Sequence, residues 1–535
     1  MKMFSKPWIL VSSIYTLLTL LFLLPLISDF RNLAGHGDAW QFVWNFWWIK
    51  FVFIHDQSIW YTTMLHWPDG ISLLAQTMTL INSAPAVILS NFFGLVSSYN
   101  VLVILHYVLS GLAMYALCYH ITKHHVASFI GGALFAFSPF RLVHYYGHLH
   151  LMTTEVIPFA LLFIIKTLEG RRLAWLWAGI ACALAAYADW YYFLFLALVS
   201  AALALWYLAS HPESRSKATF MRLAGVVLLV VVLTAPYLGP FLHFKYTTNE
   251  LEVYGHDPVI FSSHLKSFLV PGGRSFFNIF TVDTWSKWPG WREDGSYVGW
   301  SVLLLLGWGF FKARSKWFWF WGVTGVIFAI LSLGPKTMFY GWFVGAIPLF
   351  ALAGVASRFF VITTVALSIL VSLTLAHLIS RHRRGMLIAV LFFILLAFEY
   401  LPEPVVTSPV VVSPFYRQLA TDPERFAIID ISDNHAKVLY YQTIHEKPLV
   451  GGYVSRSTVS ANRFLEITPV INDLVAGGEK FRSRRPPANG RAMLASMSIK
   501  YIVVNQYDED LLQYIKQLGI PRAYQDEYLA AYQVY

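Results

Sequence analysis

The sequence carries little charge and almost no cysteine. Only 13% of its 535 residues are charged, whereas a soluble protein carries about 25%. Its two cysteines, Cys118 and Cys182, both lie inside apolar runs. A disulfide framework and a cysteine-based metal site are therefore excluded, and an ordinary soluble enzyme is not expected.

Common catalytic motifs are also missing. The sequence has no Gly-x-x-x-x-Gly-Lys-Ser/Thr phosphate loop, no His-Glu-x-x-His motif and no Gly-x-Ser-x-Gly turn. Work driven by ATP and hydrolase chemistry of these kinds are therefore not expected.

Long apolar runs, in contrast, are abundant, and 57% of the residues are hydrophobic. Only helices and closed barrels satisfy backbone groups in lipid, and these runs are too long for barrel strands. We therefore predict an all-α polytopic membrane domain over residues 1–401. Its spans, about eleven, are expected at 8–27, 98–120, 126–140, 151–168, 173–189, 190–210, 222–243, 297–312, 316–334, 357–379 and 385–401.

The positive charge indicates orientation rather than nucleic-acid binding. The net charge is +10, and most basic residues lie in alternate connections, such as Arg171 with Arg172 and Arg383 with Arg384. Basic connections stay in the cytoplasm. We expect a plasma or inner membrane protein with its N-terminus inside and its C-terminal part outside.

The first outer connection, about residues 28–97, is unusually long. The apolar run 79–97 is predicted as an interfacial helix, because counting it as a span would reverse every later loop. A helix over Ala39–Phe53 is expected to float at the membrane surface, with most of the loop's tryptophans at the headgroup level. A second run, 340–353, is broken by glycine and proline and is predicted to be re-entrant.

The composition becomes more polar after Pro402. Residues 402–535 are predicted to form a small α/β domain on the outer side. Phe426–Asp430 and Tyr501–Val504 have the pattern of buried strands. Asp508–Leu518 has the pattern of a helix that ends at Gly519.

Asp38 is the first candidate for chemistry. It follows the first span in the stretch Gly35-His36-Gly37-Asp38, ahead of a tryptophan cluster. An aspartate there could serve as the N-cap of the following helix. It could also be a general base at the outer membrane face, and the two roles are compatible.

The second outer loop offers further polar groups. Ser138-Pro139-Phe140-Arg141 is followed by three histidines, His144, His148 and His150, and by Glu155 at the start of an apolar helix. An acidic residue at membrane depth is a functional candidate by default. Three histidines could hold a metal, but this spacing alone is weak support. We therefore expect no metal or other cofactor, although a divalent ion stays open.

Three later outer segments are weaker candidates. Asp189 precedes aromatic residues and could be an interfacial anchor or a functional acid. The long segment 245–296 contains Glu250, Glu252 and several histidines, and no role can be assigned within it. Arg358, at the outer start of a span, could bind phosphate oxygens or simply extend to the interface.

Taken together, the Gly-Asp start of a tryptophan-rich first loop and the Ser-Pro-Phe-Arg turn resemble the GT-C superfamily of integral membrane glycosyltransferases. The likeness covers about residues 8–245 and extends to poorly characterised bacterial members. The superfamily includes protein O-mannosyltransferases, aminoarabinose transferases and oligosaccharyltransferases. Its second outer loop often carries an acidic motif, where this sequence has His148, His150 and Glu155.

The resemblance implies transfer of a sugar from a polyprenyl phosphate or diphosphate to an acceptor hydroxyl at the outer face, with inversion. It implies Asp38 and Glu155 as catalytic residues. It implies Arg141, His148, His150 and Arg358 as substrate-binding residues. The expected partners are the lipid-linked donor, a glycan, lipid or protein acceptor and membrane lipids, without nucleic acid. The alternative is a transporter or a flippase for lipid-linked glycans.

Overall fold

The computed structural model describes residues 6–250, 256–347, 350, 354–476 and 485–535, and most of them are helical. The helices up to residue 399 are α1 (Lys6–Phe22), α2 (Leu24–Ser28), α3 (Ala39–His55), α4 (Leu80–Phe93), α5 (Leu95–Thr122), α6 (His125–Ala136), α7 (Pro139–Tyr145), α8 (Leu149–Met152), α9 (Val156–Leu168), α10 (Ala174–Ala188), α11 (Trp190–Ser210), α12 (Lys217–Thr247), α13 (Val282–Trp285), α14 (Trp300–Lys312), α15 (Lys316–Ser332), α16 (Met338–Ala346), α17 (Phe360–Arg381) and α18 (Gly385–Glu399).

Six helical segments within the described ranges are long and apolar enough to cross a membrane. They are Leu95–Thr122, His125–Tyr145, Leu149–Leu168, Trp190–Ser210, Lys217–Thr247 and Ala356–Arg381. Each coincides with a predicted span, so the chain is a multi-pass membrane protein.

Shorter apolar helices accompany them, namely α1, α4, α10, α14, α15 and α18. All but α4 coincide with a predicted span. A helix of 17 residues such as α1 reaches about 25 Å, which is somewhat less than the ~30 Å hydrocarbon core. The total of about eleven spans therefore stays a prediction.

Helix α3 begins and ends almost where the sequence predicts, but its surroundings differ from the prediction. Trp44 and Trp48 are fully buried within protein, and the Trp44 indole donates a hydrogen bond of 2.7 Å to Gln442 Oε1. The prediction that most of these tryptophans float at the membrane surface is wrong for α3. Their large aromatic surface is buried against other protein segments instead of lipid. Helix α4, in contrast, exposes Ile88 and Phe92.

The C-terminal part combines a sheet with helices. Its strands are β4 (Thr407–Ser408), β5 (Ala427–Ile431), β6 (Ile499–Val504), β7 (Arg522–Gln525) and β8 (Ala530–Gln533), and its helices are α19 (Pro414–Thr421), α20 (His435–His445), α21 (Val459–Ile467), α22 (Pro469–Ile471), α23 (Gly490–Ser496) and α24 (Glu509–Gln517). The sheet order is β5-β6-β8-β7. Strands β5 and β6 are parallel, and the other pairs are antiparallel. The two predicted strands correspond to β5 and β6, and the predicted helix to α24.

The C-terminal part packs directly on the first outer loop. Strand β1 (Leu33–Ala34) of that loop pairs with β4, and the Gly35 amide donates to the Val406 carbonyl at 3.0 Å. Residues of α3, α19 and α20 share one apolar core. The loop's remaining strands, β2 (Tyr61–Thr62) and β3 (Ile71–Ser72), form a hairpin pair. The loop is therefore held between membrane helices and the C-terminal sheet.

The predicted re-entrant run 340–353 is only partly covered. Its first part belongs to α16. Residues 348–349 and 351–353 lie outside the described residues.

Candidate active site

Asp38 lies at the start of α3, directly after a tight glycine turn. Gly35 has a φ of +77°, and a Cβ there would lie 2.8 Å from the Tyr145 carbonyl oxygen, so the position requires glycine. Within the described chain, the Asp38 side chain makes no capping bond to α3. Its Oδ1 instead accepts a hydrogen bond of 2.8 Å from the Tyr453 hydroxyl. Asp38 therefore occupies the N-cap position of α3, but its side chain does not cap the helix.

His148 lies between two carboxylates. Its Nε2 is 3.2 Å from Glu293 Oε1 and 3.8 Å from Asp38 Oδ2. The Asp38 side chain is 40% exposed, so a substrate can reach it, whereas Glu293 is mostly buried. An imidazole in this place can hold positive charge or pass a proton between the two acids.

Asp38, His148, Glu293 and Arg358 form a carboxylate cluster, and Glu293 is its most heavily surrounded charge. It ends a short 3₁₀ turn, Trp291–Glu293, and its Oε2 lies 3.3 Å from Arg358 Nη2 and 3.9 Å from His144 Nδ1. Burial alone would raise the pKa of Glu293. The positive charges of His148 and Arg358, with smaller contributions from other histidines, outweigh burial and hold that pKa below its ordinary value. Glu293 is therefore ionised at neutral pH.

Arg358 lies in the 3₁₀ turn Ala356–Phe359, directly before α17. Its guanidinium carbon is 4.9 Å from the centre of the Tyr191 ring. Among the described residues its Nε has no hydrogen-bond partner, although the atom is buried. A buried guanidinium with unused donors is suited to phosphate oxygens.

His150 and Asp189 extend the cluster on the side of α11. His150 Nε2 is 3.7 Å from Asp189 Oδ2, and the His150 ring lies 5.7 Å from the His148 ring, centre to centre. Asp189 Oδ1 accepts the backbone amides of Tyr191 and Tyr192 at 2.8 and 3.3 Å. Asp189 is thus the N-cap of α11, and it also faces the histidines.

Three of these side chains could hold a metal ion. Ligand atoms of His144, His148 and Glu293 all lie within 4.8 Å of one another. Both ring nitrogens of His144 are buried without a hydrogen-bond partner in the part of the chain that is described. Two imidazoles and a carboxylate form a donor set that suits divalent transition metals. The residues therefore fit a divalent ion better than the histidine spacing alone indicated.

Glu155 and Arg141 belong to a different, fully buried network. Glu155 Oε1 lies 2.8 Å from His106 Nδ1, and Oε2 accepts from the Ser110 hydroxyl at 3.1 Å. Arg141 Nη1 donates to the Met152 carbonyl at 2.9 Å and also to Ser110 and Thr154. Among the described contacts, none joins Glu155 to Asp38. In the described contacts, Glu155 and Arg141 therefore bond to this network and not to Asp38, Glu293 or His148.

Among its described residues, the segment 245–296 supplies Glu293 to the cluster, brings His256 close enough for its charge to act on Glu293, and uses other polar groups elsewhere. Glu250 Oε2 accepts from the Ser460 amide and hydroxyl at 2.9 and 2.7 Å. His264 stacks on Trp288, with 5.2 Å between ring centres. Glu252 lies outside the described residues.

Sequence reasoning missed Glu293 and Tyr453. The unusual length of segment 245–296 marked it as functional or flexible, but nothing singled out Glu293 among its acids. Tyr453 follows two glycines in the C-terminal part, 415 residues after Asp38. No local pattern connects positions so far apart.

An apolar groove of about 470 Å³ opens between α1, α6 and α18. Phe22, Phe137 and Leu396 are among its lining residues, and Glu403 lies at its polar end. The Glu403 carboxylate is 2.9 Å from Arg274 Nη1 and accepts from the Tyr146 hydroxyl at 3.1 Å.

The groove is connected to the turn that carries Asp38. The Tyr146 carbonyl accepts the His36 amide at 3.0 Å, and His36 lies two residues before Asp38. Tyr146 therefore links the polar end of the groove, through its hydroxyl, to the turn before Asp38, through its carbonyl.

The sequence matches a family described as "Domain of unknown function (DUF6311)" over residues 26–398. No curated protein matches the sequence.

Solved structures with a similar fold do exist. The arabinofuranosyltransferase AftD from Mycobacteria superimposes with a TM-score of 0.60 at 13% identity, over 99% of this chain and 42% of AftD. This chain thus spans about two fifths of the length of AftD. ArnT from Cupriavidus metallidurans gives a TM-score of 0.53 at 14% identity, over 99% of this chain and 98% of ArnT. The Archaeoglobus fulgidus oligosaccharyltransferase gives 0.50 at 12% identity, over 94% and 70% of the two chains.

These structures are all GT-C glycosyltransferases. The GT-C fold predicted from the first loop and the Ser-Pro-Phe-Arg turn is therefore confirmed. At such low identity the likeness establishes the fold and leaves the chemistry to the side chains described above.

Proposed function

Because the chain belongs to the family described as "Domain of unknown function (DUF6311)" and has the GT-C fold, we propose that it is a membrane glycosyltransferase. It takes a sugar from a polyprenyl phosphate or diphosphate and transfers it to an acceptor hydroxyl at the outer membrane face. One observation carries the proposal. The half-exposed carboxylate of Asp38 faces His148, which also contacts the Glu293–Arg358 ion pair.

The fold neighbours support a polyprenyl carrier. ArnT from Cupriavidus metallidurans has been solved bound to undecaprenyl phosphate, and that structure superimposes with a TM-score of 0.52. A prenyl chain requires apolar surface at membrane depth. The groove between α1 and α18 offers such a surface, and hydrogen bonds of Tyr146 link its polar end to the turn before Asp38.

Asp38 acts as the general base. It removes the proton of the acceptor hydroxyl while the hydroxyl oxygen forms its bond to the anomeric carbon of the sugar. The bond from that carbon to the phosphate oxygen breaks, and the phosphate keeps the electron pair. A single displacement of this kind inverts the anomeric centre, as in inverting glycosidases with a hydroxyl in place of water.

The leaving phosphate gains negative charge and needs positive partners nearby. Arg358 can offer its fork to the phosphate oxygens, and the His148 imidazole lies on the side of Asp38. Glu293 contacts both residues and keeps them in place before the donor arrives. His150 lies next to His148 and contributes to the same substrate-binding surface. Its imidazole is held by the Asp189 carboxylate.

A divalent ion, if the family uses one here, would be held by His144, His148 and Glu293. It would supply Lewis-acid stabilisation of the leaving phosphate. The steps proposed above use only side chains of this chain.

Glu155 is assigned a supporting role instead of a catalytic one. Its two carboxylate oxygens are already occupied by His106 and Ser110. Arg141 is tied to the same network and to the Met152 carbonyl. Together they fix the start of α9 and thereby the histidine-bearing loop that precedes it.

The orientation proposed from the basic connections is an N-terminus in the cytoplasm and a C-terminal part outside a plasma or inner membrane. It puts Asp38 and the C-terminal sheet on the outer face, where lipid-linked sugars are presented to such enzymes.

Replacing Asp38 with asparagine tests the function. Asp38→Asn keeps the shape and the backbone position but removes the basic carboxylate. Transfer is expected to fall at least about 100-fold, since a general base contributes that much. The measurement is mass spectrometry of surface glycans from deletion cells complemented with wild-type or variant protein at equal membrane levels.

Asp69→Asn is the matched control, because Asp69 lies in the same outer loop and is exposed. It should restore the glycans fully. A normal glycan profile with Asp38→Asn would show that Asp38 is not the general base. A deletion that changes only the sidedness of a lipid-linked glycan would favour the flippase alternative.

A further inference from the structure

The C-terminal part reaches the carboxylate cluster through one irregular segment, residues 451–460, which we call the strap. The strap begins with Gly451 and Gly452, whose φ angles are +102° and +115°. These angles turn the chain away from the sheet and towards the first outer loop, a path that only glycine follows without strain.

The strap is seated by hydrogen bonds at both ends of its course over the loop. The Ser455 amide donates to Gln76 Oε1 at 2.7 Å, and its hydroxyl donates to Gln41 Oε1 at 3.0 Å. Farther along, the Val459 amide donates to the Glu250 carbonyl at 2.9 Å. The seat of the strap is therefore formed by α3, the loop after it and Glu250, just beyond the end of α12.

Tyr453 lies between the two glycines and the Ser455 anchor, with its hydroxyl 2.8 Å from Asp38 Oδ1. Burial, the charge of Asp38 and the hydrogen bond to it raise the pKa of Tyr453 above its ordinary value. The phenol thus keeps its proton and acts as a donor. With Oδ1 occupied, Oδ2 is the oxygen that faces His148 and is free to receive a proton.

We propose that Tyr453 is a positioning residue for the base, and that the strap is a wall of the active site contributed by the C-terminal part. The Tyr453 hydroxyl fixes the rotation of the Asp38 carboxylate, so that Oδ2 points towards the acceptor. The inference rests on the proposed role of Asp38. It gives the C-terminal part a function in transfer.

Tyr453→Phe removes only the hydroxyl. We expect transfer to fall by about 10- to 100-fold, because misaligned reacting groups lose rate on this scale. Binding of undecaprenyl phosphate to the purified protein, measured by native mass spectrometry, should stay unchanged. Tyr440→Phe is the matched control. The Tyr440 ring packs on Trp40 of α3, the helix that begins directly after Asp38, and this variant should transfer normally.

A second readout separates positioning from a purely structural role. In the pair Gln41→Cys and Ser455→Cys, thiols replace two side chains that are now hydrogen-bonded, and a short bismaleimide reagent can cross-link them; the loss of free thiols on labelling counts the cross-link. The native cysteines are both buried. Tyr453→Phe should leave this cross-link intact while transfer falls.

The outcomes are distinct. Normal transfer by Tyr453→Phe overturns the inference, and so does a loss of transfer that is matched by loss of the cross-link. If Asp38→Asn is fully active, the proposed function itself fails, independently of Tyr453.

Discussion

At the scale of single residues, the chemistry depends on charges that neutralise one another before any substrate binds. Glu293 contacts Arg358 at 3.3 Å and His148 at 3.2 Å. A buried carboxylate without such partners would take up a proton. The ion pair therefore keeps both groups charged inside protein, ready to exchange one partner for a phosphate.

Arg358→Lys tests this exchange. Lysine keeps the charge that Glu293 requires but loses the rigid fork that suits phosphate oxygens. Affinity for undecaprenyl phosphate should weaken about tenfold, or ~1.4 kcal/mol, in native mass spectrometry of the purified protein.

The control for Arg358→Lys is Arg491→Lys. Arg491 uses its fork on the Val534 and Gly519 carbonyls, far along the C-terminal part, so this variant should bind the lipid as the wild type does. Equal lipid affinity in Arg358→Lys and the wild type would remove Arg358 from the phosphate site.

A functional residue can be found from the sequence when its neighbours in the chain form a recognisable motif. Asp38 stands at the end of a short glycine turn, and His148 follows a Ser-Pro-Phe-Arg turn, so neighbouring residues identify them. Glu293 and Tyr453 have no such neighbours. They join the cluster only through tertiary packing. Glu155 is a candidate because an acid at membrane depth is costly, but that cost does not indicate which partner satisfies it.

At the scale of elements, the apolar runs are predictable because lipid leaves the backbone no alternative to the helix. The six long membrane segments follow from that constraint. The environment of α3 does not, because tryptophans suit both a lipid interface and a protein core. Only the partner surface of α19 and α20, encoded about 370 residues later in the chain, decides between them.

The strap depends on its glycines, and Gly452→Ala tests this. A Cβ at this position would lie 2.8 Å from Leu65 Cδ2, in addition to the strain of a φ of +115°. We expect fewer Gln41→Cys/Ser455→Cys cross-links and a lower melting temperature in detergent.

Gly519→Ala is the control for a positive φ without a close contact. Its φ of +69° lies in the left-handed helical region and nothing lies within 4 Å of the added Cβ, so it should cost about 1–2 kcal/mol of stability. It should leave the strap cross-link unchanged. If both variants cross-link like the wild type, close packing at Gly452 does not seat the strap.

At the scale of the whole molecule, the membrane part and residues 402–535 share an apolar core. Trp44, Trp48 and Leu65 of the first loop belong to the same cluster as Phe415 and Leu439. Each large side chain buried in this way contributes roughly 1.5–3 kcal/mol. The composition change at Pro402 marks where the apolar runs end, but it carries no information about this shared surface.

Residues 402–535 should therefore depend on the first loop for stability. Expressed alone, this fragment exposes its half of the shared core, and we expect aggregation or no cooperative unfolding by circular dichroism. Co-expressed with residues 1–401, it should co-purify with the membrane fragment. Trp44→Ala in that fragment should weaken the association, because it removes the hydrogen bond to Gln442 and a buried ring. Trp177→Ala, at a tryptophan that is 54% exposed, should not. A soluble, monomeric and cooperatively folding 402–535 would show that the first loop merely docks on a finished domain.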